Sequence, residues 1–282
     1  MGNATGAKNV KIRAITASLF LAGCAGAAVV DEEPATGAFM DDQRGITIAT
    51  DATFPPFHYI DDNAEVTGFD VELARAIADG AGYVADAIAI PYENLFGDLL
   101  ADAYDVVAAT TGITPERELI YLFSEPYYDT CQAALVRVGA GEPQKLADLA
   151  GRRVGAAGAG TSVKALDNLP EAVHVLLSER EATEDTIKDD GSVPVLENGD
   201  IDALIVDEMD AIEVARASDG RLRVLREPVA LEQYAFVFAS HNARLRDQFD
   251  RSLAAMRADG SLEELLREFG LDRGEDWPID LP

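Results

Sequence analysis

Apolar positions change period along the chain, and each change marks a new element. Ile46, Ile48 and Ala49 lie in a short run that predicts a strand over Ile46–Thr50. After an aromatic and proline turn (Phe54, Pro55, Pro56, Phe57), the spacing lengthens. Phe69, Leu73 and Ile77 fall on one face of a helix running to Asp79, with Asp70 as its N-cap. Val84–Ile90 then predicts a strand, Asn94–Ala101 a helix and Asp105–Ala109 a strand. Thr114-Pro115-Glu116 starts a short helix, with threonine at the cap and proline in the first turn. Alternation of this kind predicts an α/β fold with a largely parallel sheet.

A second unit begins near Ala133. Ala133–Val138 predicts a strand, and Leu146–Leu149 a short helix ended by Gly151. Arg153–Ala156 is a strand entering Gly158-Ala159-Gly160-Thr161-Ser162, and a helix follows. Val173–Leu177 reads as a strand. The polar stretch 178–200 shows no sustained period, apart from one or two helical turns over Ser192–Asn198. Ile201–Val206 is a continuous apolar run, a buried strand that ends on Asp207 and leads into a helix. Tyr234–Ala239 is a strand. Two amphipathic helices, Ala243–Ala258 and Leu262–Phe269, flank Asp259-Gly260-Ser261.

Composition narrows the function. The chain has 282 residues, 48% hydrophobic, enough for one large or two ordinary domains with a buried core. It carries 51 acidic against 23 basic residues, a net charge of −28, spread along the chain. Such a surface repels nucleic acid and anionic membranes, so no nucleic-acid partner is expected. It is like the solvated acidic surface of proteins from high-salt organisms, where salt screens self-repulsion. Cys131 lies in an apolar strand-like run and reads as a small buried hydrophobe.

The N-terminus carries its own signal. Lys8, Lys11 and Arg13 precede a short apolar run, Ile15 to Ala22, and then Leu21-Ala22-Gly23-Cys24. The run is too short to span a membrane and fits a secretory leader over residues 1–24. Leu-Ala-Gly-Cys resembles a lipoprotein lipobox, which predicts a lipidated Cys24 and an extracytoplasmic protein held to the membrane by lipid alone. Residues 25–42 are small, acidic and aperiodic, the composition of a tether. A lipidated Cys24 leaves Cys131 without an internal partner.

Four groups sit where strands give way to loops. Asp51 and Phe54 put a carboxylate and a ring at a strand's C-terminal end, where open α/β sheets bind ligands. Each is also an ordinary strand-tip residue when taken alone. Thr110-Thr111-Gly112 offers backbone N–H groups, with Arg117 one helical turn on. Backbone donors and a guanidinium fork match a carboxylate, although a capped helix with a surface arginine has the same sequence. The Gly-rich turn through Thr161 and Ser162 opens a helix, a ready anion site, but matches neither dinucleotide nor P-loop patterns. Asp207, ending a buried strand, is costly to bury unless it meets a cation. Together these groups form a clamp for a zwitterion. Arg117, the 110–112 backbone and the Thr161 helix start take a carboxylate; Asp207, with Asp51, takes an ammonium; Phe54 walls the apolar stem. No cofactor and no metal site is expected. His58, His174 and His241 lack a nucleophile or ligand spacing and read as surface or packing residues.

As an ordered set, these motifs resemble the family 3 extracellular solute-binding proteins, the polar amino-acid receptors of ABC importers. The likeness also runs through Phe123-Ser124-Glu125-Pro126-Tyr127-Tyr128, through Leu146-Ala147-Asp148-Leu149-Ala150-Gly151-Arg152-Arg153-Val154-Gly155, through Asn198-Gly199-Asp200-Ile201-Asp202-Ala203-Leu204-Ile205-Val206-Asp207 and through Ala258-Asp259-Gly260-Ser261-Leu262. It covers about residues 45 to 272. It implies a two-lobed periplasmic-binding-protein-like type II fold with a cleft between lobes and two hinge crossovers, near Tyr128–Cys131 and Glu232–Tyr234. The first lobe would be 43–127 plus 235–282, and the second 132–231. The resemblance also implies a monomer that hands its ligand to an ABC permease and its ATPase subunits. Arg117 matches the family's carboxylate-binding arginine, Asp207 its amine-binding acid, Asp51 and Phe54 its first-lobe acid and aromatic wall, and Thr161 its second-lobe donor.

Two positions depart from the family. Gly112 stands where Ser or Thr is frequent, so a hydroxyl is missing unless Thr110 or Thr111 replaces it. Glu93 stands where an aromatic is frequent. Either it faces the ligand and favours a basic side chain, or Tyr92 or Phe96 supplies the ring and Glu93 faces water. The rival classes are a cleft enzyme of the same fold, such as a dehydratase, and a soluble partner of a sensory receptor.

Overall fold

The computed structural model describes residues 44–157, 160–177, 192–274 and 277–281. The predicted leader, the Cys24 lipobox, the tether, Gly158 and Ala159 of the Gly-rich turn, and most of the polar stretch lie outside the described residues.

The chain begins with β1 (Arg44–Thr50), a ribbon of β2 (Thr53–Phe54), β3 (His58–Ile60) and β4 (Val66–Thr67), and helix α1 (Phe69–Gly80). Next come β5 (Tyr83–Ala89), α2 (Tyr92–Leu100), β6 (Val106–Val107), α3 (Pro115–Glu118) and β7 (Tyr121–Phe123). β8 (Tyr128–Arg137) leads to a 3₁₀ turn (Leu146–Leu149), β9 (Arg153–Ala157), α4 (Thr161–Ala165) and β10 (Val173–Leu177). Then follow α5 (Ser192–Glu197), β11 (Ala203–Asp207), α6 (Glu208–Ala217), β12 (Leu222–Val224) and β13 (Ala230–Tyr234). The chain closes with β14 (Val237–Ala239), α7 (Ala243–Asp259) and α8 (Ser261–Glu268).

Two sheets organise these elements into two lobes. The first runs β5-β1-β6-β14-β7, with β1 parallel to β5 and β6 and β14 antiparallel to its neighbours. The second runs β10-β9-β11-β8-β12, with β13 also on β8. Here β9 is parallel to β10 and β11, and β8 is antiparallel to β11, β12 and β13. β8 carries the chain out of the first lobe and β13 brings it back, paired from Tyr128 opposite Tyr234 to Gln132 opposite Ala230. The predicted strand at Ala133 is therefore the inner part of a longer element that starts at Tyr128. Cys131 lies on β8, buried, and burial pushes its thiol up.

The predicted face of α1 is buried: Phe69, Leu73 and Ile77 pack with Ile46, Ile48, Phe236, Phe238 and Phe249. Asp70 is not the cap. Gly68 precedes the helix with φ of +118°, and a Cβ there would meet Phe57 O at 2.4 Å. Only glycine lets the aromatic turn sit directly on the helix start, where Phe69 N–H donates to Pro56 O and Asp70 N–H to Phe57 O. Asp70, one position into the helix, points into the core instead.

A third stretch of chain crosses between the lobes. Residues 277–281, assigned to the first lobe from sequence, pack on the second: Ile279 is buried with Leu196, Leu204 and Val214, and Trp277 and Leu281 join that cluster. The anchor is Glu208, fully buried. It accepts from Arg273 at 2.7 Å, from Trp277 Nε1 at 2.7 Å and from Thr130 Oγ1 at 3.0 Å. The Arg273 guanidinium lies against the rings of Tyr128 and Trp277.

Candidate functional site

A cavity of about 290 Å³ opens between the two sheets, lined from both sides. The first lobe contributes Asp51, Phe54, His58, Tyr92, Thr110, Thr111, Gly112 and Arg117; the second contributes Thr161, Ser162, Asp207 and Asp210; β13 contributes Glu232 and Tyr234. Of the ligand-binding candidates Asp51, Phe54, Glu93, Thr110, Thr111, Gly112, Arg117, Thr161, Ser162 and Asp207, Glu93 is the one absent from this lining. Glu93 is exposed on α2, and its neighbour Tyr92 faces the cavity. A larger cavity of about 1000 Å³, walled by β8, β13, α8 and the tail, does not hold Arg117 or Asp207.

Arg117 is aimed by its own helix start. Thr114 caps α3 by accepting from Arg117 N–H at 3.3 Å, with Pro115 in the first turn. The Arg117 Nη1 donates to Gly112 O at 2.8 Å, Nη2 lies 3.5 Å from the Tyr92 hydroxyl, and the guanidinium sits over Phe96. One edge of the fork is thus pinned to the 110–112 loop.

That loop is held in a strained shape from below. Thr110 has φ of +39°, a conformation that costs a non-glycine residue about 1–3 kcal/mol. Its N–H donates to Asp70 Oδ2 at 2.7 Å and its hydroxyl lies 3.3 Å from His58 Nε2. Burial pushes the Asp70 carboxyl up to about 7, against the pull of the Thr110 N–H and the Tyr127 hydroxyl. Gly112 is joined to the hinge strand: it bridges to Tyr234, Ile113 N–H donates to Gln233 O, and Ala235 N–H to Thr111 O.

The acids differ in their surroundings. Asp51 accepts from Thr53 Oγ1 at 2.6 Å, and its Oδ1 lies 3.3 Å from His58 Nδ1 without hydrogen-bond alignment. His58 is buried; that burial lowers its pKa, and Asp51 opposes the shift. Phe54 stacks on Phe57, which packs edge-on against Tyr128 and Tyr234 of the hinge strands. Asp207, ending β11, accepts from Gln132 Nε2 at 2.7 Å and lies 3.4 Å from the Tyr234 hydroxyl; burial raises its pKa. Gln132 also donates to Thr161 Oγ1 at 3.1 Å and accepts from Ser162 Oγ at 2.6 Å, so one amide positions all three second-lobe groups. Burial pushes the Glu232 carboxyl up to about 7, helped by the Asp207 charge and opposed by Thr161, Gln132 and Arg117. Between the lobes, Lys164 of α4 pairs with Glu116 of α3 at 2.9 Å, both exposed.

Sequence reading did not find His58, Asp70, Gln132, Glu232 or Tyr234. The last three sit on strands whose alternation reveals two faces but not which one meets the cavity. His58 carried a signal, its nearness to Asp51, but no spacing typical of chemistry. Among the described residues, no group of three or more His, Cys, Asp or Glu side chains is placed to hold a metal ion.

The arrangement offers one guanidinium with adjoining hydroxyl donors against four carboxyl groups. It can hold a carboxylate and at least one cation, with Phe54 and Tyr92 for an apolar stem.

A family model for the bacterial extracellular solute-binding proteins, family 3, matches residues 46–272. The L-cystine-binding protein TcyJ of Escherichia coli K12 is 30% identical over 234 residues, spanning 82% of this chain and 85% of that protein. The arginine-, lysine-, histidine-binding protein ArtJ from Geobacillus stearothermophilus superposes with a TM-score of 0.65 at 28% identity, over 82% of this chain and 97% of that one. The ancestral amino acid-binding protein AncCDT-1, a precursor of cyclohexadienyl dehydratase, gives 0.63 at 25% identity, over 80% and 95%.

Proposed function

The chain belongs to the bacterial extracellular solute-binding proteins of family 3, and on that basis we propose that it captures a polar or charged amino acid outside the cytoplasm and delivers it to an ABC permease and its ATPase subunits. One observation carries the reading: Arg117 from the first lobe and Asp207 from the second line a single cavity of amino-acid size. The ligand carboxylate takes the free edge of Arg117 and the Thr161 hydroxyl, its ammonium takes Asp207, and Phe54 with Tyr92 flanks the stem. Asp51 is the acceptor for a distal group. With Asp51, Asp207 and Asp210 against Arg117, a cationic side chain is favoured over an acidic one. The similarity to ArtJ supports a basic ligand, and the similarity to TcyJ supports a longer polar one.

The lobes meet at β8 and β13, so 43–127 plus 235–276 move against 132–231, with closure over the ligand as the delivery signal. Lys164–Glu116 favours the closed arrangement. The protein binds without chemical turnover and acts as a monomer. A dehydratase-like enzyme is the second reading, favoured only by the similarity to AncCDT-1. Among the described residues no helix is long and apolar enough to cross a membrane. Cys24, lipidated, holds the protein to the outer face of the cell membrane; loss of membrane association in Cys24→Ser tests this.

The ligand assignment is tested by thermal shift against the common amino acids in high salt. At least one should raise the melting midpoint, and Arg117→Ala should abolish that rise. No stabilisation by any amino acid rejects the function; an unchanged shift in the variant rejects the role of Arg117.

A further inference from the structure

Glu232 lies where the proposed site would receive a carboxylate. It sits on the returning hinge strand, opposite Thr130, and lines the same cavity as Arg117. A Cβ added at Gly112 would lie 3.7 Å from Glu232 Oε2 and 3.8 Å from Arg117 Nη1, so both groups border the small space that Gly112 leaves open. The Thr161 hydroxyl is the donor that restrains Glu232, with Arg117 attracting it from across that space. Thr161 already accepts from Gln132, so its own hydroxyl proton is free to be given to Glu232. Arg117 and the Thr161 hydroxyl are the groups assigned above to a ligand carboxylate. The chain supplies a carboxylate of its own to them.

Resting on the amino-acid reading of the cavity, we propose that Glu232 is a resident competitor for the carboxylate subsite, and that a ligand carboxylate binds there only when Glu232 is uncharged. Two carboxylates at one guanidinium in a partly dry cavity repel each other, and the cheaper outcome is that one takes up a proton. A protonated Glu232 then turns from rival to donor, with its O–H available to the ligand carboxylate. The other ionisable and charged groups facing the cavity are Arg117 on α3, Tyr92 on α2, Asp207 at the end of β11, Asp210 on α6, Asp51 and His58 in the β1–β3 segment, and Tyr234 on β13. Asp70 lies behind Thr110. Of these, Asp207 is the one whose charge adds to the burial that raises Glu232.

Calorimetric titration with L-arginine, or with the panel amino acid that gives the largest thermal shift, tests this on the full chain and on Glu232→Gln. The variant keeps the shape and removes the charge. Wild type should bind about tenfold more weakly at pH 8 than at pH 6, because the competent fraction falls by that factor above a value near 7. It should also take up close to one proton more per ligand than the variant at pH 8, read from buffers of different ionisation heat. Glu232→Gln should match wild type at pH 6 and bind about tenfold more tightly at pH 8. Equal affinities at both pH values overturn the proposal and leave the amino-acid function standing. Weaker binding by the variant at both values also overturns it, and makes Glu232 an acceptor for a ligand cation. If wild type binds none of the amino acids at either pH, the function and the competition fall together.

Discussion

A carboxyl buried in the first turn of a helix needs a reason, and Asp70 has one in Thr110. The acid accepts the N–H of a residue held at positive φ and so fixes the loop that carries Thr111 and Gly112 to the cavity. Sequence suggested an N-cap because aspartate before an apolar helical face is a common cap. Gly68 takes that place because its backbone packs against Phe57, a contact no local pattern reveals. Burial raises the folded value of Asp70 from 3.8 to about 7. A raised acid binds more protons folded than unfolded between those values, so its contribution to stability is full at low pH and is lost as pH climbs toward 7. Asp70→Asn keeps an acceptor for Thr110 and removes the charge. Relative to wild type, the variant should gain at least about 1 kcal/mol between pH 5 and pH 8 in urea unfolding. A constant difference at both pH values would show that Asp70 stays charged when folded. Arg117, Asp207, Asp51, Phe54, Thr161 and Ser162 were legible because each stands at an element's end, where chemistry and pattern coincide. Gln132 and Glu232 were not, because mid-strand polar residues look alike whether they face a cavity or water.

At the level of elements, the two hinge strands and the tail decide how the lobes are joined. β8 was read from sequence only from Ala133 on, and β13 only as the crossover near Glu232–Tyr234 that the resemblance implies; their pairing, Tyr128 opposite Tyr234, is a contact between residues far apart in sequence. The tail carries only Trp277, Ile279 and Leu281 as apolar signals, too short a run to show a period. Its anchor, Glu208, belongs to a different helix and reads from sequence as an ordinary first-turn acid. In the fold it is fully buried beneath Arg273 and Trp277. Removing one partner of a buried pair leaves the other uncompensated, which costs about 3–5 kcal/mol. Glu208→Ala should therefore lose stability on that scale in urea unfolding. A loss near that of a surface substitution would show that the tail is not a structural strap.

For the whole molecule, charge is the dominant property. A net −28 on 282 residues, with only Lys145, Lys164 and Lys188 as lysines beyond the predicted leader, makes self-repulsion a standing cost of compactness. Salt shortens the reach of that repulsion from about 30 Å at 0.01 M to about 3 Å at 1 M. The melting midpoint of the ligand-free protein should rise steeply between low and multimolar KCl. Equal stability in both would reject a high-salt adaptation.

The α/β class, the main alternation of strands and helices and most cavity-lining residues follow from the chain itself; the short strands β2–β4, β7, β12 and β13 do not. Periodicity and strand-end chemistry are local, and a local pattern is complete within a few residues. Three things belong to the tertiary structure alone: Asp70 beneath the 110–112 loop, the tail carried onto the second lobe, and Glu232 beside Arg117. Each joins groups 40 or more residues apart. Which such groups meet depends on strand pairing and helix packing, and these are settled by burial across the whole core.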